Sequence, residues 1–365
     1  MNPSLAQIDW HSFLGRPPLP SASPSAVSSL IQQPILVTGA GGSIGSAVAL
    51  RLASTGARII LIESSENSLY DLQQDLANFL ANANFYLGSV SDRSLLDEIF
   101  SLHRPRLVFH AAAHKHVPLS EEQPLAAIAN NVFATETLIA SASAQNARIV
   151  LVSTDKAVAP ASMMGATKRV AEHIVLTSGG SVLRLGNVLA SRGSVTELFA
   201  RQIAARLSLT VTDPAARRYF LTISEAVDLL ISAADEPQSS TLLVPQLPGP
   251  HYIADLARFM ARSLAPNHEP SIEFTHLRAG DKEAEQLWSA TETPHSLKSG
   301  NLISLDSPFI AHSQLQRSLA TLRNAIDARD LSIALATLRD LVPDYIPSQT
   351  VLAQRSVAVS QVSHE

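Results

Sequence analysis

A glycine-rich segment at residues 38–45, with the sequence Thr-Gly-Ala-Gly-Gly-Ser-Ile-Gly, constrains the fold of this chain more than any other feature. An apolar run at 34–37 precedes it and another at 47–50 follows it, which indicates a buried strand, a tight turn and a helix. Glycines at such a junction let the backbone approach a pyrophosphate closely, while free amides of the helix N-terminus face the anion. The residues predicted to form this dinucleotide site are Thr38, Gly39, Gly42, Ser43, Ile44 and Gly45.

A carboxylate follows the glycines at the distance expected for a ribose contact. Glu63 ends the next apolar run, 58–62, close to the offset of about 20 residues at which an acidic side chain binds the ribose hydroxyls. A carboxylate repels a 2'-phosphate, so the predicted cofactor is NAD, with NADP left open. The alternative is a purely structural glycine turn, which the strand, turn and helix context disfavours.

The spacing of apolar runs predicts an α/β fold. Strands are expected near 35–38, 58–63, 84–87, 106–111, 147–153 and 181–185, with helical patterns between them. This alternation is typical of a Rossmann-type doubly wound parallel sheet. The predicted division is a lead-in at 1–33 with one short helix on the surface, a Rossmann domain with the catalytic residues at 34–190, a smaller mixed α/β substrate lobe with C-terminal helices at 191–346, and a disordered tail at 347–365.

Composition excludes several classes of function. The net charge is −5 and the basic residues are scattered, so the chain has no basic stripe for nucleic acid. It has no cysteine, which excludes disulfides and thiolate metal sites and fits a cytoplasmic location. We expect no membrane span, because no apolar stretch in the sequence approaches the required length of about 20 residues.

The predicted fifth strand ends in three polar residues, Thr154, Asp155 and Lys156, at the edge where parallel sheets bind ligands. A surface ion pair is the alternative for Asp155 and Lys156. Further on, Met164 and Lys168 have the spacing of the Tyr-x-x-x-Lys pair of short-chain dehydrogenases. A thioether cannot exchange a proton, so another group must perform that acid–base step.

The segment His114-Lys115-His116 offers two histidines, too few for a metal site without further ligands, so no metal is predicted. We interpret it as a loop over the cofactor and the substrate.

Several motifs together resemble the CapD-like polysaccharide biosynthesis proteins, which are extended short-chain dehydrogenase/reductases. The resemblance covers about residues 14–346, and the segments that carry it are 110–119, 153–158, 164–169, 184–189, 193–195, 218–223 and 341–345. Departures from the family pattern are Met164 for tyrosine, Ser89 for an adenine-binding aspartate, and Ala284 for a tyrosine.

The resemblance implies a UDP-N-acetylglucosamine 4,6-dehydratase, some relatives of which also invert carbon 5. In that reaction carbon 4 is oxidised, a proton leaves carbon 5, water is lost across carbons 5 and 6, and the hydride returns to carbon 6. By similarity Lys156 is the base at carbon 5, Asp155 the acid, and Thr154 a hydrogen-bond donor to the carbon-4 oxygen. The roles of Asp155 and Lys156 could be exchanged, and Lys168 holds the nicotinamide ribose.

Further sites follow from the same resemblance. It implies that Asn131 supports the active-site backbone, and the alternative is an amide in the interior of a helix. It assigns Ala111 and Ala112 to the cofactor, and Lys115, Asn187, Arg218 and Arg278 to the UDP-sugar. We also expect a homo-oligomer. The alternatives are a UDP-sugar 4-epimerase, which needs no base at carbon 5, and a cofactor-binding protein without catalysis in a glycan-assembly complex.

Overall fold

The computed structural model describes residues 5–236, 240–267, 270–308 and 310–354. In chain order the strands are β1 (Ile35–Thr38), β2 (Ile59–Glu63), β3 (Ala83–Leu87), β4 (Leu107–His110), β5 (Arg148–Thr154), β6 (Ser181–Leu185), β7 (Asn187–Val188), β8 (Leu209–Val211), β9 (Arg217–Arg218), β10 (Phe220–Leu221), β11 (Leu242–Pro245), β12 (His251–Tyr252), β13 (Ile272–Phe274), β14 (Thr293–Ser296) and β15 (Leu302–Asp306). The helices are α1 (Trp10–Leu14), α2 (Pro24–Ile31), α3 (Ser43–Ser54), α4 (Glu66–Asp75), α5 (Arg93–His103), α6 (Val117–Glu122), α7 (Pro124–Ile128), α8 (Ala134–Ala144), α9 (Met163–Thr177), α10 (Val195–Ala204), α11 (Ile223–Asp235), α12 (Ile253–Leu264), α13 (His312–Asp327) and α14 (Leu331–Leu341).

Within the described residues a nine-stranded sheet has the order β14-β15-β11-β6-β5-β4-β1-β2-β3. The strands from β3 to β11 are parallel, and β15 and β14 add an antiparallel edge. Its central strands are mostly apolar and buried because helices cover both faces of the sheet. The predicted Rossmann-type parallel sheet is therefore confirmed, with its first six strands where the apolar runs indicated.

The sheet does not end near residue 190, where the predicted boundary lies. β11 pairs with β6 and β15 pairs with β11, so residues from the expected second lobe complete the first domain. Leu242 and Val244 are buried in the same cluster as the central strands. The helices α13 and α14 also pack on α9 through a shared apolar cluster. The boundary at 190 needs correction, because apolar runs show burial but not which edge of a sheet a strand joins.

A separate small lobe carries the short strands β8 and β13 and the helices α10 and α12. The lead-in belongs partly to this lobe, since Leu5 and Leu14 are buried in its apolar cluster. Leu30 on α2 is buried in the main core instead. The expected surface segment with one short helix is therefore wrong: the lead-in forms two helices that contribute to both cores.

The end of the described chain also differs from expectation. Residues 349–354 are helical, and the side chain of Val351 is fully buried against the C-terminal helices. Gln354 donates a hydrogen bond to the carbonyl of Glu121 at 2.8 Å. The prediction of a disordered tail is therefore wrong for 347–354, and residues 355–365 lie outside the described residues.

One helical stretch in the described part of the chain, Pro124–Ala144, could cross a membrane by length and composition alone, with a mean hydropathy of 1.2. The expectation that no apolar stretch approaches about 20 residues is therefore wrong. The stretch joins α7, a π-helical turn at 129–133 and α8, and 56% of its apolar window is buried in the fold. Ile128, Val132 and Leu138 are fully buried, so its apolar character is accounted for by packing.

Candidate active site

The glycine-rich turn forms a concave backbone surface, here called the cradle, in which a side chain at Gly39 or Gly45 would collide with neighbouring backbone atoms. Gly39 has φ +63°, and a Cβ there would lie 2.7 Å from the Cα and N atoms of Ala112. A Cβ on Gly45 would lie 2.1 Å from the carbonyl oxygen of Gly39, so this glycine lets α3 pack against the turn. The N-cap of α3 is Gly42, which offers the first amides no side-chain cap. Close approach and uncapped amides fit a pyrophosphate.

Glu63 stands at the carboxyl end of β2 beside this cradle. Its Oε2 accepts a hydrogen bond from the amide of Gly41 at 3.0 Å, and its Oε1 accepts one from the amide of Ser65 at 2.9 Å. These bonds fix the carboxylate at the edge of the cavity. Its position fits the predicted contact with a ribose.

Thr38 does not line the cavity, although we predicted it as a cofactor residue. It is fully buried, and its Oγ1 lies 2.7 Å from Nδ1 of His110 at the end of β4. The other ring nitrogen of His110 lies 3.0 Å from the hydroxyl of Thr135. Burial holds the pKa of His110 at about 3, so the ring is neutral and joins β1 to α8 through hydrogen bonds. Thr38 thus supports the cradle from behind.

A cavity of about 980 Å³ runs from the glycine-rich turn to the carboxyl ends of β5 and β6. Most of the predicted site residues line it, namely Gly39, Gly42, Ser43, Ile44, Gly45, Glu63, Ala111, Ala112, Lys115, Thr154, Lys156, Lys168 and Asn187. A cavity at the carboxyl edge of a parallel sheet is the usual ligand site of such folds.

The end of β5 presents a cluster of polar side chains to this cavity. The Nζ of Lys156 lies 3.0 Å from Oδ1 of Asp155 and 2.9 Å from Oδ1 of Asn187. The hydroxyl of Thr154 donates to the same Asp155 oxygen at 2.9 Å. Asp155 is fully buried and lies behind the cavity wall, whereas Thr154 and Lys156 reach the cavity. Burial raises the pKa of Asp155, against the opposing effect of the Lys156 ammonium.

A buried ion network holds β5 in place. Ser153 donates to Glu172 on α9 at 2.6 Å, and Arg184 on β6 binds both oxygens of Glu172 at 2.8 and 2.9 Å. The guanidinium of Arg184 also contacts Glu292 at 2.8 Å. Burial alone would raise the pKa of Glu172, but Arg184 holds it down at about 2. The network ties together β5, β6 and α9 directly beneath Thr154.

Lys168 projects from α9 into the cavity, one helical turn after Met164, which also lines it. The Nζ of Lys168 donates to the carbonyl of Val152 at 2.7 Å. Burial lowers the pKa of this lysine to about 8. An amine with that pKa can exchange protons near neutral pH, which the thioether of Met164 cannot do.

Two loops cover the cavity. The Nζ of Lys115 donates to the carbonyl of Arg192, while the amide of Arg192 donates to the hydroxyl of Ser43 at 2.8 Å. The Nη1 of Arg192 donates to the carbonyl of Gly41 at 3.2 Å. Residues 191–194 thus connect the glycine-rich turn to the predicted substrate side of the cavity. The predicted role of the 114–116 segment as a covering loop agrees with this placement.

Asn131 supports that loop, in agreement with one of the two interpretations of this residue. Its Oδ1 accepts a hydrogen bond from the amide of His114 at 2.8 Å, and its Nδ2 donates to the carbonyl of His114 at 3.1 Å. The same Nδ2 donates to the hydroxyl of Thr167, the neighbour of Lys168, at 3.0 Å. Asn131 therefore joins the covering loop to α9.

Arg218 and Arg278, both predicted to bind the UDP moiety, are not among the described residues that line the cavity. Arg218 is 8% exposed, and its guanidinium donates to the carbonyls of Lys282 at 2.7 Å and Glu283 at 3.0 Å. The side chain of Arg278 is 62% exposed and pairs with Asp281 at 2.9 Å. Their contacts with a sugar nucleotide remain predictions.

Glu285 is a site residue that our sequence reasoning did not identify. Its side chain is 3% exposed, and Oε1 lies 3.9 Å from the Nζ of Lys156. Its Oε2 pairs with Lys282 at 2.8 Å. The spacing of Lys282 and Glu285 is visible in the sequence, but nothing local to that segment indicates that it folds against β5.

Comparison with known proteins identifies the family of this chain. Residues 35–306 match the family described as polysaccharide biosynthesis protein. The chain is 38% identical over 302 residues to the capsular polysaccharide biosynthesis protein CapD of Staphylococcus aureus, and 39% identical over 301 residues to the probable polysaccharide biosynthesis protein EpsC of Bacillus subtilis (strain 168). Each alignment covers 79% of this chain and 50% of the relative, so the chain spans about half the length of these proteins. A protein named UDP-glucose 4-epimerase from Rickettsia rickettsii (strain Sheila Smith) is 33% identical, with 72% of this chain and 79% of that protein covered.

Solved structures agree on the fold. Pen from Bacillus thuringiensis has a TM-score of 0.71 at 26% identity, covering 76% of this chain and 89% of Pen. DesIV, a dTDP-glucose 4,6-dehydratase from Streptomyces venezuelae solved as a double mutant with NAD, has a TM-score of 0.58 at 19% identity, covering 69% of this chain and 87% of DesIV. The expected resemblance to CapD-like proteins is confirmed. This chain belongs to the polysaccharide biosynthesis protein family that includes CapD and EpsC, and it has the extended short-chain dehydrogenase/reductase fold.

Proposed function

We propose that this chain is a nucleotide-sugar enzyme of surface polysaccharide biosynthesis, and specifically a 4,6-dehydratase that acts on UDP-N-acetylglucosamine. The observation that carries the proposal is the juxtaposition of Thr154, Lys156 and Lys168 on one wall of a cavity whose other end is a dinucleotide cradle. Dehydration needs a base at sugar carbon 5 and a proton donor for the departing oxygen. The chain supplies candidates for both at the end of β5.

NAD is the proposed cofactor. The glycine-rich turn and the uncapped N-terminus of α3 would hold its pyrophosphate, Glu63 its adenosine ribose and Lys168 its nicotinamide ribose. When bound, NAD would supply the hydride acceptor for sugar carbon 4 and the hydride donor for carbon 6.

The positions of Asp155 and Lys156 support one assignment of their roles. Lys156 reaches the cavity, whereas Asp155 lies behind it and has a raised pKa. When the proton shared by this pair resides on Asp155, Lys156 is a neutral amine and can take the proton from carbon 5. Asp155 gives its proton to the hydroxyl of Thr154, 2.9 Å away, as that hydroxyl turns and gives its own proton to the departing oxygen. Lys156 therefore acts as the base and Asp155 as the buried acid.

An epimerase is the second candidate, because relatives such as the Rickettsia rickettsii protein carry the name UDP-glucose 4-epimerase. Epimerisation at carbon 4 uses the same fold and cofactor but leaves the carbon-5 proton in place. The buried Asp155 and Lys156 pair at the cavity wall has no task in that reaction. This difference favours the dehydratase and provides the test.

Incubation of the purified chain with NAD and UDP-N-acetylglucosamine in deuterated water, followed by NMR and mass spectrometry, distinguishes the candidates. We expect loss of one water and a 4-keto sugar whose carbon 5 carries deuterium. Lys156→Met should lower the rate of this exchange by about 100-fold or more, because it removes the base, whereas Lys298→Met at an exposed site should not. A product of unchanged mass with inverted carbon 4 would identify an epimerase. Recovery of unchanged substrate, with both ligands bound, would indicate a protein without catalysis on this sugar.

A further inference from the structure

The segment around Lys282 and Glu285 is fastened against the catalytic end of the sheet by two arginines. Arg218 donates to the carbonyls of Lys282 and Glu283, and the amide of Arg217 donates to the carbonyl of Glu283 at 2.8 Å. Arg217 also forms a parallel bridge with Ala284. The residue that follows this clamp is Glu285. In this structure Arg218 therefore binds backbone carbonyls, and the backbone that it holds leads directly to the carboxylate of Glu285.

Glu285 enters a cluster in which two carboxyl groups flank the side-chain nitrogen of Lys156. Asp155 lies 3.0 Å from this Nζ and Glu285 lies 3.9 Å from it. Lys282 neutralises part of the added charge, because its Nζ contacts Glu285 at 2.8 Å and donates to the carbonyl of Val158 at 2.8 Å. The two carboxylates come from distant parts of the chain and are both buried.

The surroundings shift the pKa values of the two carboxyl groups in opposite directions. Burial would raise the pKa of Glu285, but Lys156, Lys282 and Arg218 together hold it below its ordinary value. Burial raises the pKa of Asp155, and the negative charge of Glu285 adds to that effect while Lys156 opposes it. Two neighbouring carboxyl groups whose pKa values are driven apart are typical of an acid and a fixed anion with separate tasks.

We propose that Glu285 is a positioning residue of the reaction, which acts through Lys156 and Asp155 rather than on the substrate. Its carboxylate orients the Lys156 amine and, as a neighbouring anion, favours the form of Asp155 that carries a proton. Arg218 serves the same purpose by fixing the backbone before Glu285. This inference rests on the proposed function, since it assigns the tasks of Asp155 and Lys156 as above.

The test replaces Glu285 by glutamine, which keeps the shape and removes the charge. Glu273→Gln on β13, an exposed position, makes the same chemical change away from the site. We expect Glu285→Gln to lower kcat about 10- to 100-fold with little change in KM for UDP-N-acetylglucosamine, since misplacing a catalytic group lowers rates by such factors. The limb of the pH profile set by Asp155 should move to lower pH, because its like-charged neighbour is gone. Glu285→Asp should restore that limb, and Glu273→Gln should behave as the wild type.

An infrared titration tests the inference without turnover. The carbonyl band of the protonated Asp155 carboxyl is identified by its loss in Asp155→Asn, and its midpoint is followed in the wild type and in Glu285→Gln. A lower midpoint in Glu285→Gln supports the inference even if UDP-N-acetylglucosamine is not the substrate. An unchanged midpoint overturns it, as does a fall in kcat without a shift of the pH limb. Failure of the wild type to dehydrate the sugar overturns the proposed function alone.

Discussion

At the scale of single residues, burial decides what the charged groups of the site can do. Asp155 and Lys156 are neighbours in sequence, but only Lys156 reaches the cavity. Lys168 is buried as an amine, and this burial brings its pKa to about 8. The thioether of Met164 lines the same wall and adds no charge. Proton exchange at this wall therefore depends on the lysines and on Thr154.

The lowered pKa of Lys168 predicts a stability that rises with pH. In the unfolded chain Lys168 keeps its proton up to about pH 10.5, whereas in the folded chain it releases the proton near pH 8. Between these values the unfolded state binds more protons, so the free energy of unfolding increases with pH. We measure the free energy of unfolding of the wild type and of Lys168→Met with urea. The value for the wild type minus that for the variant should increase by about 3 kcal/mol across this pH window.

Other lysines titrate in both proteins of this pair, so their contributions cancel in the difference. A difference that stays constant from pH 7 to pH 10 would mean that burial does not lower the pKa of Lys168. The cavity would then be more hydrated than the fold implies.

At the scale of elements, the turn between β1 and α3 requires glycine for two separate reasons. Gly39 needs a positive φ, and it also needs the absence of a side chain because the backbone of Ala112 on a distant chain segment lies against it. Gly15 has a similar φ of +60°, but a Cβ at that position would meet no atom within 4 Å. A substitution at Gly15 therefore tests backbone strain alone, whereas one at Gly39 tests backbone strain together with the close approach of Ala112.

Replacing each glycine by alanine tests this distinction. Gly15→Ala should cost about 1–2 kcal/mol of stability from the left-handed backbone alone and should leave NAD binding unchanged. Gly39→Ala should cost more, because its Cβ would lie 2.7 Å from the backbone of Ala112 and force the cradle apart. We expect its affinity for NAD to fall by about tenfold or more, measured by calorimetric titration beside urea unfolding. Wild-type NAD affinity in Gly39→Ala would contradict the placement of the pyrophosphate.

At the scale of the whole molecule, the lead-in connects the small lobe to the main core. Arg16 reaches Glu225 at the start of α11, with Nη1 at 2.5 Å and Nη2 at 3.0 Å from its two carboxylate oxygens. Both side chains are nearly buried, at 9% and 4% exposure. Glu225 also accepts hydrogen bonds from the amides of Leu19 and Thr222. One carboxylate therefore joins the lead-in to the N-terminus of a core helix.

Arg16→Met should destabilise the fold by about 3 kcal/mol, because it leaves the Glu225 carboxylate buried without its cation. The exposed pair of Arg93 and Asp97 is the matched control, and Arg93→Met should have little effect on the free energy of unfolding, because solvent screens this pair. Burial would raise the pKa of Glu225, but Arg16 holds it below its ordinary value of 4.5. The stabilisation is therefore present above that pH and is lost as the pH falls, which urea unfolding between pH 3 and pH 7 would show. Equal losses in the two variants would argue against a structural role for the lead-in.

The sequence by itself determined the local parts of this protein. Apolar periodicity located the first six strands of the sheet, and the glycine spacing located the dinucleotide cradle. Both patterns depend only on residues that are close together in the sequence. The position of Thr154, Asp155 and Lys156 at a strand end followed from the same local pattern. Their meeting with Lys168 also follows from the sequence, since one strand end and the helix after it carry all four residues.

Only the tertiary structure decided which of these side chains face the cavity and which distant residues join them. It buried Asp155 behind Lys156, turned Arg218 onto the carbonyls of Lys282 and Glu283, and brought Glu285 to the carboxyl end of β5. It also placed β11 in the main sheet between β6 and β15, beyond the expected boundary. These outcomes depend on the packing of segments far apart in the chain, and no local spacing of residue types encodes which buried surfaces meet.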